Sequence, residues 1–226
     1  MTSIPPSAAS PRKSCAEGID ARERLLQSGL RLFAEKGFAN TSTREIAQSA
    51  RINIASISYY FGDKAGLYRA VFTETNACPS LAPAEFDQSE LSLRESLQTL
   101  FNTILAPLKL GDTMQMYMRL HFREMLEPTG IWAEKIDHGI KPAHAGLIRL
   151  LCRHLGLTKA DDDLHRLAFS VTGLALQIFI DRDVIDAIRP RLLATPRALD
   201  AWSARLVDFA EAMVMQEATR RQTPPQ

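Results

Sequence analysis

The sequence predicts an all-α protein in which a small N-terminal domain precedes a larger helical bundle. Apolar residues recur at helical spacing through most of the chain, and alternating strand patterns are absent. The 226 residues are 46% hydrophobic and 23% charged, which is typical of a packed protein and argues against a disordered or collagen-like chain. Residues 78–83, which contain two prolines, are the best candidate for a linker between the two domains.

Charge and cysteine content exclude several classes of protein. The net charge is +1, so no global field attracts nucleic acid or membrane, and any such binding must be local. The three cysteines are far apart, which disfavours a disulfide framework or a zinc ribbon and fits the reducing cytoplasm. The longest apolar run, residues 167–180, is shorter than the roughly 20 residues of a membrane span, and the polar start lacks the apolar core of a signal peptide. We therefore expect a cytoplasmic protein without membrane contact.

The N-terminal domain is predicted to span residues 19–77, after a disordered arm of residues 1–18. Its first helix, 20–36, carries an apolar stripe and ends at Gly37, a natural C-cap. The other helices of this domain are predicted at 43–50, 54–61 and 63–77.

The C-terminal domain is predicted to span residues 78–217 and to be followed by a disordered tail of residues 218–226. Pro142 should break or kink the longest helical stretch, because proline lacks the backbone N–H that a helix interior needs. The helices of this domain are predicted at 91–109, 112–126, 130–155, 161–181 and 197–217.

Two short helices joined by a tight turn, at about residues 42–61, predict a helix-turn-helix motif. Residues 42–45 fit a capping box at the start of the first helix. Asn53 can cap the second helix, and Ile57 and Phe61, four residues apart, can anchor it to a core. Such a unit places its second helix in the major groove of DNA.

The outward face of that second helix carries small or polar side chains and one aromatic. Asn and Ser side chains can hydrogen-bond to base edges, apolar groups can meet thymine methyls, and neighbouring Thr, Tyr and Lys side chains can donate to phosphates. A three-helix packing unit without a DNA role is the alternative, in which Tyr60 packs on the first helix. The predicted DNA-contacting residues are Thr43, Arg44, Asn53, Ile54, Ala55, Ser58, Tyr59, Tyr60 and Lys64.

The N-terminal domain contains an ordered set of short motifs, in residues 29–38, 43–47 and 59–61, then at Lys64 and in residues 67–68. In order and spacing this set resembles the DNA-binding domain of the TetR family of bacterial repressors. The resemblance implies an all-helical homodimer with a ligand-binding C-terminal domain, in which a small molecule releases the DNA.

Two positions depart from the pattern of that family. Many members have glycine where this chain has Arg51, and a non-glycine residue held there with positive φ costs roughly 1 kcal/mol. Many members also have an aromatic residue where this chain has Ser58. Both departures bear on the DNA sequence that is recognised.

The C-terminal domain resembles a narrower group. The matching residues are Arg123-Glu124, residues 127–129, residues 140–142 and the helix at 167–173. They are similar to the C-terminal domain of the CecR (YbiH-like) regulators. The resemblance does not indicate a ligand.

A dense run of methionine and aromatic residues on the 112–126 helix has two interpretations. The first is core packing by flexible side chains. The second is the wall of an adaptable apolar ligand pocket, for which His121, Arg123 and Gln177 would be polar anchors. The predicted pocket residues are Phe101, Met114, Tyr117, Met118, His121, Phe122, Met125, Trp132, Phe169, Leu176 and Gln177.

The last two long helices are predicted to form a dimer interface. Each has an apolar stripe at 3- and 4-residue spacing, and two helices from each of two subunits would make a four-helix interface. The alternative is an intrachain core. The stripes comprise Leu164, Leu167, Ala168, Val171, Ala175 and Ile178, and then Trp202, Leu206, Phe209, Ala210 and Met213.

No pattern indicates catalysis, a metal or a cofactor. The five histidines form no i, i+4 pair on a plausible helix face, and catalytic elbows, phosphate-binding glycine loops and dinucleotide fingerprints are absent. We therefore expect no enzyme, no metal site and no cofactor. The sequence predicts a dimeric, ligand-released repressor of a DNA operator; an activator of the same fold and a ligand-binding protein without DNA binding remain alternatives.

Overall fold

The computed structural model describes residues 11–74 and 82–222, and only the backbone of residues 11–18. All regular secondary structure in these residues is helical, which confirms the predicted all-α fold. Contacts between Cα atoms divide the chain into two compact units, Met1–Asn76 (unit 1) and Ala77–Gln226 (unit 2). No helix in the described part of the chain is both long and apolar enough to cross a membrane.

Unit 1 is built on one long helix against which the shorter ones pack. The apolar stripe predicted on the first helix is buried, and Phe33 packs edge-on against Tyr68 with ring centroids 4.8 Å apart. The helices are α1 (Pro11–Lys36), α2 (Thr43–Ala50), α3 (Ala55–Phe61) and α4 (Lys64–Glu74). Helices α2 and α4 pack on α1, and α3 packs on α4.

Helix α1 starts earlier than the sequence analysis predicts. Residues 11–18, expected to belong to a disordered arm, are helical, while residues 1–10 lie outside the described residues. Proline is well suited to the first turn of a helix, because its φ is already helical and its missing N–H would have no partner there. Pro11 thus begins a helix that continues without interruption into the packed segment.

The predicted capping box at the start of α2 is confirmed. The Ser42 hydroxyl accepts from the Glu45 N–H at 3.2 Å, and the Glu45 carboxylate accepts from the Ser42 N–H at 2.9 Å. Lys36 also donates to Glu45 at 2.8 Å. The pKa of Glu45 falls to about 2, because the Lys36 ammonium and the two Ser42 donors all favour the charged carboxylate.

The turn between α2 and α3 passes through Arg51 in the left-handed conformation, at φ 55° and ψ 46°. The N–H groups of Arg51 and Ile52 donate back to carbonyls of α2 at 3.1 and 2.9 Å. The Arg24 guanidinium of α1 donates to the carbonyls of Ala50 and Arg51. These bonds offset the roughly 1 kcal/mol that a non-glycine residue loses in this conformation.

The ammonium group of Lys64, which is predicted to bind a phosphate, makes contacts within unit 1. Lys64 Nζ donates to the carbonyls of Phe38 and Thr41 at 2.8 and 2.9 Å, and it lies 4.3 Å from the centroid of the Phe38 ring. These contacts tie α4 to the turn between α1 and α2 and use two of the three N–H donors of the ammonium group, so the phosphate contact stays a prediction.

The helices of unit 2 are α5 (Pro83–Phe86), α6 (Leu93–Leu105), α7 (Asp112–Leu126), α8 (Ile131–Lys135), α9 (Lys141–Leu155), α10 (Asp162–Ile180), α11 (Arg182–Ile188) and α12 (Pro196–Gln222). In this bundle α6, α10 and α12 contribute most of the buried core, and α9 packs against them. The predicted helix over 130–155 contains a π turn at Ile136–Ile140, two residues before Pro142, whose ring disfavours a regular helix. Helices α5 and α11 are not predicted from the sequence; both are short, and α11 buries no residue.

Helix α12 extends further than predicted, since residues 218–222 of the expected tail are helical and residues 223–226 lie outside the described residues. The physical reason is a set of ion pairs in its last turn. Arg221 donates to Asp161 at 2.8 Å and to Glu217 at 2.6 Å, and Arg220 donates to Asp163 at 2.8 Å. These contacts join the end of α12 to the start of α10.

We expect Lys64→Met to lower the free energy of unfolding of unit 1 by about 1–3 kcal/mol, because it leaves two carbonyls without their charged donor. Far-UV circular dichroism during urea denaturation measures this change. Both tryptophans, Trp132 and Trp202, lie in unit 2, so tryptophan fluorescence follows that unit separately. Arg69→Met, at an exposed position of the same helix, is the control and should change stability by less than about 0.5 kcal/mol. Equal stabilities of the two variants would contradict the role given to Lys64.

Candidate nucleic-acid interface and effector site

The exposed side of α3 carries no charged side chain. Tyr59 is 83% exposed and Ile54, at the start of the helix, is 49% exposed, while Ala55 and Ser58 are also on the surface. Ile57 points the other way and is buried. As the helical spacing in the sequence predicts, α3 has an inner side that anchors it through Ile57 and an outward side that is exposed. A shallow groove borders this outward side and is lined by Thr43, Ile54, Ala55, Ile57, Ser58, Gly62, Asp63 and Lys64.

Asn53 caps α3 with its side chain, as predicted. Its Oδ1 accepts from the Ala55 N–H at 2.9 Å, although Ile54 is the residue that directly precedes the helix. The cap uses the acceptor end of the Asn53 amide and leaves the NH2 end pointing away from that bond. The NH2 group of Asn53 is thus a donor for a neighbouring molecule, while the cap occupies one of the two lone pairs of Oδ1.

The two adjacent tyrosines of α3 differ in exposure. Tyr60 is half-buried, and its ring lies edge-on to Tyr59 with centroids 4.9 Å apart and 6.2 Å from Phe61. Phe61 is covered by the Arg22 guanidinium of α1 at 5.1 Å. The phenol of Tyr59 is therefore the more accessible of the two.

Thr43 and Arg44 are the first two residues of α2, and Thr43 lines the shallow groove. Arg44 is exposed and makes no ion pair with another described residue, so its guanidinium is available to a phosphate. Arg51 is likewise exposed, in the turn before α3.

Unit 2 contains a cluster of aromatic rings around His121. The His121 ring lies 5.2 Å from Trp132 and 6.4 Å from Tyr117, and Phe122 lies 5.9 Å from Phe179 of α10. The pKa of His121 falls to about 4, because burial disfavours the charged ring and because Lys135 is positively charged. His121 is therefore neutral at pH 7.

Glu124, one of the residues that carry the resemblance to the CecR group, is a candidate for positioning this cluster. It is fully buried, and its carboxylate accepts from the Thr129 N–H at 2.8 Å, the Thr129 hydroxyl at 3.0 Å and the Trp132 N–H at 3.3 Å. These bonds position Trp132 against His121. The Glu-Pro-Thr sequence of residues 127–129 is the sequence signal for this site, because it places the Thr129 hydroxyl within reach of the Glu124 carboxylate on α7.

The predicted pocket residues do not form one internal pocket. Phe101, Met114 and Tyr117 are buried, whereas Met125 and Leu176 are 37% and 40% exposed. The apolar spacing in the sequence does not distinguish a residue that faces the core from one on the outer face of a helix, because both kinds of residue recur at helical spacing. Of the others, Met118, His121, Phe122 and Trp132 are half-buried, and Phe169 and Gln177 are exposed.

A cavity lies elsewhere in unit 2, as an open groove of about 400 Å³ between α10, α11 and α12. Its walls are mostly aliphatic and aromatic, with Gln177, Asp181 and Arg189 as polar groups. Gln177 is the one predicted pocket residue that lines it. The lining residues are Leu174, Gln177, Ile178, Asp181, Val184, Ile185, Ile188, Arg189, Leu192, Trp202, Leu206 and Phe209.

The residues predicted to form a dimer stripe on α10 are buried within the chain, which favours the alternative of an intrachain core. On α12, Leu206 and Ala210 are buried as well, whereas Phe209 is 46% exposed. The opposite side of α10 is also apolar and is open to solvent. The exposed apolar residues of these two helices are Phe169, Leu176, Ile180, Phe209 and Met215 (the outer apolar set).

Histidine and acidic side chains do not assemble into a metal centre among the described residues, where no group of three potential ligands occurs. His144 Nε2 and His165 Nδ1 share a hydrogen bond at 2.9 Å, and Phe169 stacks on His144 at 4.4 Å. Desolvation, and then the neighbouring His165, lower the pKa of His144. This pair joins α9 to α10.

The buried His121 predicts a pH-dependent stability of unit 2. Because the pKa of His121 is about 4 in the folded chain and near 6.5 when unfolded, the unfolded state binds a proton first as the pH falls. The free energy of unfolding should drop by about 2 kcal/mol from this group between pH 6.5 and pH 5. Urea denaturation followed by tryptophan fluorescence measures it.

His121→Phe should flatten this pH dependence, while His138→Phe, at an exposed position, should leave it unchanged. In both variants the free energy of unfolding should still decrease somewhat as the pH falls, because the pKa values of His144 and His154 are also lowered by burial. An unaltered slope in His121→Phe would overturn the assignment.

Comparisons with known proteins match both units. Residues 93–216 match the family described as the HTH-type transcriptional dual regulator CecR, C-terminal domain, and residues 25–71 match bacterial regulatory proteins of the tetR family. The dual regulator CecR of Shigella flexneri is 29% identical over 75% of this chain and 80% of its own length. The probable regulator YttP of Bacillus subtilis (strain 168) is 38% identical over 39% of this chain, and this chain spans only 44% of that protein.

Solved structures of low sequence identity share the fold. A bacterial regulatory protein of the tetR family from Rhodococcus RHA1 has a TM-score of 0.63 at 18% identity, over 86% of this chain and 96% of that one. The TetR-family regulator PfmR from Thermus thermophilus has a TM-score of 0.61 at 15% identity, over 83% of this chain and 96% of that one. The chain thus belongs to the TetR family of bacterial transcriptional regulators, in the group whose C-terminal domain is that of CecR.

Proposed function

We propose that this regulator represses transcription by binding a pseudo-palindromic operator as a dimer, and that a small molecule releases it from the DNA. The observation that carries the proposal is the outward side of α3, which is exposed and uncharged while its inner side is anchored. A short helix held in this way can enter the major groove with its side chains against base edges. This activity places the protein in the bacterial cytoplasm, where the chromosome is.

The proposed DNA contacts follow from exposure and charge. Ile54, Ala55, Ser58 and Tyr59 would face the bases, and the NH2 group of Asn53 would lie at the edge of this surface. Contacts to phosphates set the register of a protein on DNA and carry most of its salt dependence. The exposed or half-buried groups suited to phosphates are Thr43, Arg44, Tyr60 and Arg51.

Dimerisation is supported by the outer apolar set. Five large apolar side chains on α10 and α12 are between 40% and 67% exposed, and three of them, Phe169, Leu176 and Ile180, lie at 7- and 4-residue spacing on one side of α10. Exposed apolar surface of this kind marks interaction sites on otherwise polar proteins. A second copy of the same two helices would cover it by a two-fold operation. The two α3 helices of the dimer, one recognition helix from each copy, would then read the two half-sites of the operator.

The groove between α10, α11 and α12 is the proposed effector site. Its volume of about 400 Å³ and its mostly apolar walls are typical of sites for small organic ligands. The three polar groups that line it would orient such a ligand. A ligand that prefers one of two conformers by about 1–3 kcal/mol changes operator affinity 5- to 150-fold.

Selection of duplexes from a random DNA library tests the DNA-binding function. We expect the full chain to enrich an inverted repeat whose half-sites are about one helical turn apart, or a multiple of it. A Tyr59→Ala, Arg44→Ala double variant should lose the enrichment, and both substitutions are at exposed positions that leave the core intact. A folded protein that enriches no motif at low salt would be a ligand-binding protein without DNA binding. A reporter gene in a deletion strain separates repression from activation at the recovered sites.

Sedimentation velocity tests the dimer. Leu176→Asp together with Ile180→Asp should convert the dimer to a monomer, because both substitutions would bury unpaired charge in the interface. Leu126→Asp, at a position that is 78% exposed on α7, is the matched control and should remain dimeric. The same sedimentation coefficient for the unmodified chain and both variants would refute this interface.

A further inference from the structure

The recognition helix contains no charged residue. Residues 55–61 read Ala-Ser-Ile-Ser-Tyr-Tyr-Phe, and its outward side chains are Ala55, Ser58 and Tyr59. The commonest specific contact to guanine is a bidentate bond from Arg or Lys to O6 and N7 in the major groove. The helix itself cannot make that contact.

The nearest polar candidates are also restricted. Lys64 donates two of its three N–H groups to the carbonyls of Phe38 and Thr41. The cap orients the Asn53 amide, because Oδ1 accepts from the Ala55 N–H, whereas a bidentate contact to adenine needs both the oxygen and the NH2 group directed at that base. Both side chains are therefore engaged in contacts within the protein.

The exposed apolar groups at the start of α3 point to another base. Ile54 exposes 49% of its surface at the leading end of the helix, where docking places side chains closest to the bases. Ala55 follows it, and its small side chain lets the backbone approach the groove floor. Among the four bases, only thymine presents an apolar group in the major groove, its C5 methyl.

We propose that Ile54 and Ala55 are specificity-determining residues that read thymine methyl groups, so that each operator half-site has A·T pairs where these two residues meet it. This inference rests on the proposed DNA-binding function and names the chemistry of the site that is bound. Ser58 and the Tyr59 hydroxyl add single hydrogen bonds, which orient the helix. Arg44 of α2 and Arg51, in the turn before α3, contact phosphates.

The experiment compares thymine with uracil, which differ only in the C5 methyl. Two random duplex libraries, one synthesised with dTTP and one with dUTP, are selected with the full chain. The dTTP library should yield a motif with thymine at fixed half-site positions. In the recovered duplex, single dU replacement at each of these positions should weaken binding about fourfold, the value of one buried methyl group.

Variants then assign the effect to a residue. Ile54→Ala should bring the thymine-to-uracil affinity ratio close to 1 at one position of each half-site. Arg44→Ala is the matched control, and it should weaken binding to both duplexes equally and reduce the salt dependence. Thermal denaturation checks that both variants fold, and the single dU replacements need no variant.

The outcomes separate this inference from the function on which it rests. A motif that specifies guanine at the contacted positions, or equal affinity for thymine and uracil duplexes, overturns methyl reading while leaving DNA binding in place. The absence of any motif from the dTTP library overturns the proposed function itself. A relaxed guanine preference in Arg51→Ala would assign base reading to the turn instead of the helix.

Discussion

The position of the recognition helix depends on backbone carbonyls that two cationic side chains satisfy. Helix α3 has seven residues, too few for a helix that is stable in isolation, so its neighbours must hold it. Arg24 satisfies carbonyls at the end of α2, including that of the left-handed Arg51, and Lys64 satisfies those of the turn between α1 and α2. Buried polar groups without partners are costly, and each cation removes such a cost while joining two helices. Arg24 and Lys64 thus serve the fold, whereas Arg44 and Arg51 are exposed beside the uncharged outward side of α3.

In unit 2, helix α10 is apolar both on its buried side and on its exposed side. The buried stripe of α10 packs inside the chain, while Phe169, Leu176 and Ile180 on its other side are exposed. A helix that is apolar all round needs partners on more than one side. Folding of one chain supplies the first partner, and the proposed second copy supplies the other. The groove beside α11 opens on these same helices, so an effector there would lie next to the dimer contacts.

Local sequence determined the features whose partners lie a few residues away. The capping box of Ser42 and Glu45, the cap from Asn53 and the irregular turn before Pro142 depend on short-range hydrogen bonds and sterics, and they can be predicted from the sequence. The family motifs of the N-terminal domain follow from the same short-range order. The outward residues of α3 were also predictable, because Ile57 and the helical period define the opposite side.

Tertiary structure decided everything that depends on partners distant in sequence. Lys64 lies 26 residues from Phe38, whose carbonyl it binds, and the end of α12 is held by Asp161, 60 residues away from Arg221. Phe101 is buried, whereas Phe169 and Leu176 are exposed, although all three are apolar residues in apolar helical stripes of the sequence. Helical periodicity reveals that a stripe is apolar, but only the packing of the other helices determines whether it faces a core, a groove or a second copy.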